Sequence, residues 1–261
     1  MSSPASDLRR NQEVYHDFWG HRWRRIWTYS SQTKVKRFRS VMRKYGLLDS
    51  PTALRVYDQG FGLGLMLFSF PKNCFLAGHE LSSNTIISAQ TAARRLGYAS
   101  TDLRIYEPAQ PLPDQWLNSF DVVISSHVLE HIAEPKLALA QILTLLKPGG
   151  YACILVPINE LLGEDANHYY IFSEASLSAM LHDLSMEIVS CDSVDRLYRL
   201  IKPLSLARQR HDTVLLRIIS KIVNGVLAPL PFRALRGIDR ILSKIDVPPT
   251  QCILLARKNL A

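Results

Sequence analysis

The stretch from Leu54 to Glu80 constrains the fold most. A strand pattern, Leu54-Arg55-Val56-Tyr57-Asp58, runs into Gly60, Gly62 and Gly64. A short helix over 65–70 is predicted to end at Pro71, and a second strand over 74–80 ends on Glu80. Glycines at this spacing let a backbone turn tightly and approach a ligand closely. The free N–H groups that open the following helix favour negative charge. Two strands joined by a crossover imply a parallel pair, and a parallel pair implies a covered sheet.

The rest of the chain continues the alternation. Helices are predicted over 83–96, closed by Gly97, over 134–146 with Pro135 in the first turn, and over 173–184 with a Ser cap. Strands are predicted over 103–106, 120–125, 151–156 and 186–191, with 251–257 as the last. The fold class is therefore α/β: a doubly wound, Rossmann-like, mostly parallel seven-stranded sheet. Its expected organisation is an N-terminal helical lid (1–50), a core (51–195 plus 247–261) and a helical insertion (196–246).

Charge is segregated along the chain. Residues 1–45 and 196–246 each carry 11 Lys/Arg against 3 acids, whereas 46–195 carry 7 against 17, within a total of +8. An acidic core between basic flanks bears on partners rather than on fold. The four cysteines are dispersed without C-x-x-C spacing, which excludes zinc-ribbon and thioredoxin-type readings. A polar N-terminus and the lack of a long uncharged apolar run predict a cytoplasmic protein.

Asp58 and Glu80 narrow the ligand. A carboxylate ending the second strand can accept hydrogen bonds from a ribose diol. A nicotinamide fingerprint would need a small residue where Leu65 stands, and Asp58 would sit poorly beside a pyrophosphate. An acid ending the first strand instead suits a ligand with a cationic amino group. The combination points to S-adenosylmethionine.

Five segments then carry a resemblance. They are Val56 to Gly64, Gly78-His79-Glu80-Leu81-Ser82, Phe120 to Ile132 with its Val128-Leu129-Glu130-His131 run, Leu146 to Gly150, and Asn167 to Ser173. In this order they resemble class I S-adenosylmethionine-dependent methyltransferases of the small-molecule-methylating branch. The resemblance implies that Gly60, Phe61, Gly62 and Gly64 border the methionine moiety and that Asp58 orients its ammonium. It implies further that Glu80 holds the ribose hydroxyls, Leu81 packs on adenine, Glu107 helps seat the adenine, and Ser125 and Ser126 lie beside the sulfonium.

Methyl transfer is an in-line displacement in which the protein mainly aligns the reactants, and a hydroxyl acceptor also needs a proton removed. His168, in a loop after the fifth strand, is the first choice as general base. His127, at the mouth of the fourth strand, is the second, and His131 reads as structural. No metal is expected, because Asp165 and His168 make only half a site.

The N-terminal flank interleaves Tyr15, Phe18, Trp19, Trp23, Ile26 and Trp27 with arginines; the resemblance implies an aromatic lid here, and an amphipathic helix packed on the core is the equal alternative. Two amphipathic helices are expected in the insertion. One carries Leu215, Ile218, Ile219, Ile222, Val223 and Val226, and the other Leu235, Ile238, Leu242 and Ile245. They can cap an acceptor pocket, form a homodimer contact, or lie on an anionic membrane. Nucleic acid is not expected, since no binding module accompanies the arginines. The leading function is methyl transfer, most readily to oxygen, on a small-molecule, sugar, lipid or carrier-linked acceptor of anionic character. A catalytically silent protein of the same fold and a nicotinamide oxidoreductase are the alternatives.

Overall fold

In the computed structural model, residues 27–106, 111–160, 165–206 and 214–260 are described. Among the described residues the first element is α1 (Tyr29–Lys44), followed by β1 (Arg55–Gln59), β2 (Phe75–Glu80), α2 (Ser83–Leu96) and β3 (Thr101–Ile105). Next come β4 (Phe120–Ser126), α3 (Pro135–Leu143), β5 (Leu146–Pro157), α4 (Glu174–Asp183) and β6 (Met186–Val194). Three helices follow, α5 (Arg196–Leu206), α6 (Val214–Leu227) and α7 (Phe232–Lys244), before β7 (Gln251–Lys258). Tyr15, Phe18, Trp19, Trp23 and Ile26, the residues expected to form a lid, lie outside the described residues, and Trp27 is exposed.

The strands form one seven-stranded sheet in the order β3-β2-β1-β4-β5-β7-β6. All pairings are parallel except those of β7, which runs antiparallel between β5 and β6. The alternation of side chains across each strand divides the core into two layers. Val56, Leu76, Val122, Ile124 and Cys153 face α1 and α2, packing with Phe38, Met42, Ile86 and Ala89. Tyr57, Ala77, Val123, Ile154 and Leu254 face α3 and α4, packing with Leu139, Ile142, Leu177 and Leu181. The strand order reverses between β1 and β4, which is where open α/β sheets hold their ligands.

Local chemistry sets the boundaries. The Ser82 hydroxyl accepts from Thr85 N, and Gly97, at φ +81°, closes α2. Ser173 and Ser176 cap α4 reciprocally. Three expectations are corrected. The helix over 65–70 is only a single 3₁₀ turn, Leu67–Ser69, because six residues between Gly64 and Pro71 cannot repay helix nucleation. β5 starts at Leu146 and absorbs the expected turn, with Gly149 at φ +74°. Among its described residues the insertion holds α5 in addition to the two expected helices.

α1 and the insertion are stitched together by buried polar groups. Arg37 pairs with Asp239, whose carboxylate also accepts from the N–H groups of Asp195 (3.2 Å) and Arg196 (2.9 Å) at the start of α5. The Tyr29 hydroxyl donates to Asp195 at 2.8 Å, and the Lys36 ammonium donates to the Ala228 and Leu230 carbonyls beyond α6. Removing one member of a buried ion pair strands the other. Arg37→Ala is therefore expected to cost about 3 kcal/mol of stability, read as a lower urea midpoint.

Gly78 sits where β1 and β2 approach closely. A Cβ there would lie 2.4 Å from the Asp58 carbonyl oxygen and 2.8 Å from the Phe61 ring. Backbone cannot yield as a flexible side chain can. Gly78→Ala is expected to destabilise by about 1–3 kcal/mol in the same assay.

Candidate active site

Asp58 and Glu80 end neighbouring strands and face the glycine loop. Gly60 takes φ +66°, and a Cβ there would meet Val128 Cγ2 at 2.5 Å, so both the backbone and the space require glycine. The Gly60 N–H donates to the His79 carbonyl at 2.8 Å, tying the loop to β2. Glu80 is buried and accepts from Gly62 N at 2.8 Å through one oxygen and from Leu81 N at 2.7 Å through the other. Burial raises its pKa, against the lowering effect of hydrogen bonds from Gly62, Leu81 and Ser82. Each carboxylate oxygen still has acceptor capacity for a hydroxyl.

Asp58 is the outlier. It is 2% exposed, and its Oδ1 has no hydrogen-bond partner among the described residues. Burial, and then the charge of Glu80, push its pKa well above the ordinary carboxylate value. A buried acid without a partner is costly unless a positive charge arrives. The site therefore fits a ligand that brings a cation to Asp58 and a hydroxyl pair to Glu80.

The other loop residues divide. Phe61 turns into the core against Gly78, leaving its backbone at the loop. The Ser125 hydroxyl is fully buried and donates to Gln59 Oε1 at 3.1 Å, so bulky Gln59 braces β4 against β1. Leu81 and Ser126 are half-buried at the strand ends. Glu107 lies outside the described residues.

A second cluster sits beyond β4 and β5. His127, at φ +56°, places Nδ1 3.1 Å from Glu130 Oε1, while its enclosed Nε2 has no partner among the described residues. Burial, and then the charge of Lys34, hold the His127 pKa low. Glu130 is fully buried. Burial raises its pKa, but the hydrogen bond and charge of His127, with His131, outweigh this and bring it below the ordinary value. The Glu130 carbonyl accepts from Tyr169 N (2.8 Å) and Tyr170 N (3.3 Å), which zips this turn to the loop after β5.

His168 hangs from that loop. Its Nδ1 lies 2.6 Å from Glu160 Oε2, and its Nε2 lies 3.7 Å from Asp165. Burial pulls its pKa down, but the Glu160 hydrogen bond and the charges of Glu160, Glu130 and Asp165 prevail and hold it above the ordinary value. His131 stacks edge-on at 4.8 Å with its Nδ1 on the Asn167 carbonyl. Glu130, His131 and His168 bring ligand-capable atoms within 4.8 Å of one another. Glu160 and Lys34 were not singled out from sequence. Glu160 lies in a loop without a motif, and Lys34 reads as one more solvated base on α1, whereas burial lowers its pKa.

Residues 57–154 match the methyltransferase domain family. Over these residues the core is similar to S-adenosylmethionine-dependent methyltransferases. An uncharacterised methyltransferase of Schizosaccharomyces pombe is 30% identical over 138 residues, 48% of this chain and 48% of its own. A ubiquinone biosynthesis O-methyltransferase of a Chelativorans species is 34% identical over 98 residues, 37% of this chain and 38% of its own. The chain thus spans about half the length, or less, of these curated relatives. The magnesium protoporphyrin IX methyltransferase of Synechocystis, solved with bound SAH, covers 95% of this chain and 100% of its own with a TM-score of 0.59 at 16% identity, a likeness of fold. The methyltransferase core takes S-adenosylmethionine as its cofactor, which sets the nicotinamide alternative aside.

Proposed function

We propose that this protein transfers a methyl group from S-adenosylmethionine to a hydroxyl of a small or carrier-linked acceptor of anionic character. The observation that carries the reading is the buried, unpartnered Asp58 beside Glu80, a pair that calls for a cation joined to a diol. Two matches to ubiquinone biosynthesis O-methyltransferases, at 34% and 29% identity, favour oxygen as the acceptor atom.

When bound, S-adenosylmethionine supplies a methyl group already activated on a sulfonium. Asp58 would supply charge to its ammonium, Glu80 would accept from its ribose hydroxyls, and the Gly60 to Gly64 backbone would leave room for its methionine chain. Leu81 and Ser126 would border it. His168 would remove the acceptor proton at Nε2, its Nδ1–H held by Glu160 so that the basic nitrogen is fixed. His127 would present its Nε2 to the same space as a neutral group. Lys202, 3.9 Å from Glu160, and Arg199, which donates to the Asn159 carbonyl at 2.6 Å, bring α5 and its positive charge over the acceptor loop.

The test is formation of S-adenosylhomocysteine by the purified chain across a panel of phenolic, sugar and lipid-linked hydroxyl acceptors. Turnover on one class supports the reading. Tight S-adenosylmethionine binding with no turnover on any would favour the catalytically silent alternative.

A further inference from the structure

The insertion presents α6 the wrong way round for a helix in contact only with water. Its neutral polar residues Ser220 and Asn224 face the protein. Ser220 is 3% exposed, and Asn224 accepts from Tyr29 N at 2.8 Å while donating to the Ser220 carbonyl. Val214, Leu215, Ile218, Ile222 and Val226 point outward and are 49% to 71% exposed. A surface helix of a soluble domain normally buries such a stripe, and a contiguous exposed one marks an interaction site.

Its neighbour α7 supplies the charge. Leu235 is buried, whereas Arg233, Arg236, Arg240 and Lys244 are exposed, with Ile241 and Ile245 exposed among them. The acid within α7, Asp239, is turned inward and engaged by Arg37. Among the described side chains of α6 and α7, every exposed charge is therefore cationic, Lys221 included. The exposed Asp246 follows the end of α7. Trp27, also exposed, stands two residues before Tyr29, whose N–H meets α6. Aliphatic side chains, a cationic rim and a tryptophan are the chemistry of a helix lying at a lipid–water boundary.

We infer that the outer face of α6 and α7 docks on an anionic phospholipid surface. The helices lie on the bilayer and do not span it. No single described helix is long and apolar enough to cross, and the two are bent by 109° at the Ala228–Pro231 break. A second copy of the chain is the poorer occupant, because a two-fold contact would set one cationic rim against another. An anionic bilayer matches both the apolar face and the rim, each cation adding attraction that salt screens.

Sedimentation of the full chain with vesicles tests this. Vesicles of phosphatidylcholine mixed with phosphatidylserine are expected to carry the protein down in a salt-sensitive manner, and phosphatidylcholine alone is not. The double variant Ile222→Asp/Val226→Asp removes apolar contact, and Arg236→Glu/Arg240→Glu reverses charge. Each should weaken binding to the mixed vesicles by at least about tenfold. Both change exposed positions away from the cofactor loop, so thermal midpoint and S-adenosylmethionine affinity should stay unchanged. Wild-type binding by either variant, or equal binding (including none) to the two vesicle types, overturns the inference. So does a dimer in sedimentation velocity that dissociates on Ile222→Asp/Val226→Asp, because the face then belongs to a second copy.

Discussion

Glu80→Ala is expected to weaken S-adenosylmethionine binding by two orders of magnitude or more in isothermal titration. On the proposed reading the substitution removes the acceptor of two ribose hydrogen bonds. Hydrogen bonds to a charged group contribute about 1.5–3 kcal/mol each, and every 1.4 kcal/mol is tenfold in affinity. It also frees the Gly62 and Leu81 N–H groups, so the loop loses the anchor that fixes its shape. Glu80→Gln separates the two contributions, since one amide oxygen can still accept while the charge is gone. Affinity in Glu80→Ala within threefold of wild type would remove Glu80 from the site.

Asp58 gives a companion result of opposite sign. Its folded-state pKa is raised, so the folded protein holds a proton that the unfolded chain releases. As pH climbs from the ordinary value of 3.8 toward the raised one, stability of the cofactor-free protein is lost, and above that it stays low. Asp58→Asn should abolish this loss, making the cofactor-free protein more stable than wild type at pH 8 while weakening cofactor binding. Urea denaturation at pH 5 and pH 8, with and without S-adenosylmethionine, reads both effects. A variant that is less stable and binds as well as wild type would mean that Asp58 serves the fold alone.

The meeting of Asp58 and Glu80 at the glycine loop was legible because it is local. Asp58 and Glu80 end adjacent strands around a glycine loop, and the spacing alone places them together. The ends of α2 were equally plain, since Ser82 and Gly97 carry their capping chemistry in their identity. The orientation of α6 was not. Its periodicity shows a stripe but cannot say which side meets the protein, and that choice is made by Asn224 meeting Tyr29, 195 residues away. The acceptor side was only half legible. His168 was visible as a histidine in a loop, but its raised pKa depends on Glu160, and the two meet through tertiary folding. Even the family resemblance could not supply that pairing.

His168→Ala is expected to lower kcat by between 10² and 10⁴, the range contributed by one positioned general base, with cofactor affinity unchanged. Simple loss of loop structure would also lower kcat, so Glu160→Gln provides the sharper readout. In wild type, Glu160 and its neighbouring acids hold the His168 pKa above the ordinary value. A base acts when neutral, so turnover should rise with pH up to that raised pKa and then level off. Replacing Glu160 by Gln removes the leading stabiliser of the imidazolium, so the rising limb of the kcat profile should move to lower pH. A structural role for Glu160 would lower the plateau and leave the limb in place. A chelator supplies the remaining arm, because Glu130, His131 and His168 are close enough to share a divalent ion. Proton transfer by His168 requires turnover to survive dialysis against the chelator. Loss of turnover that is restored by added metal would reassign His168 from base to ligand.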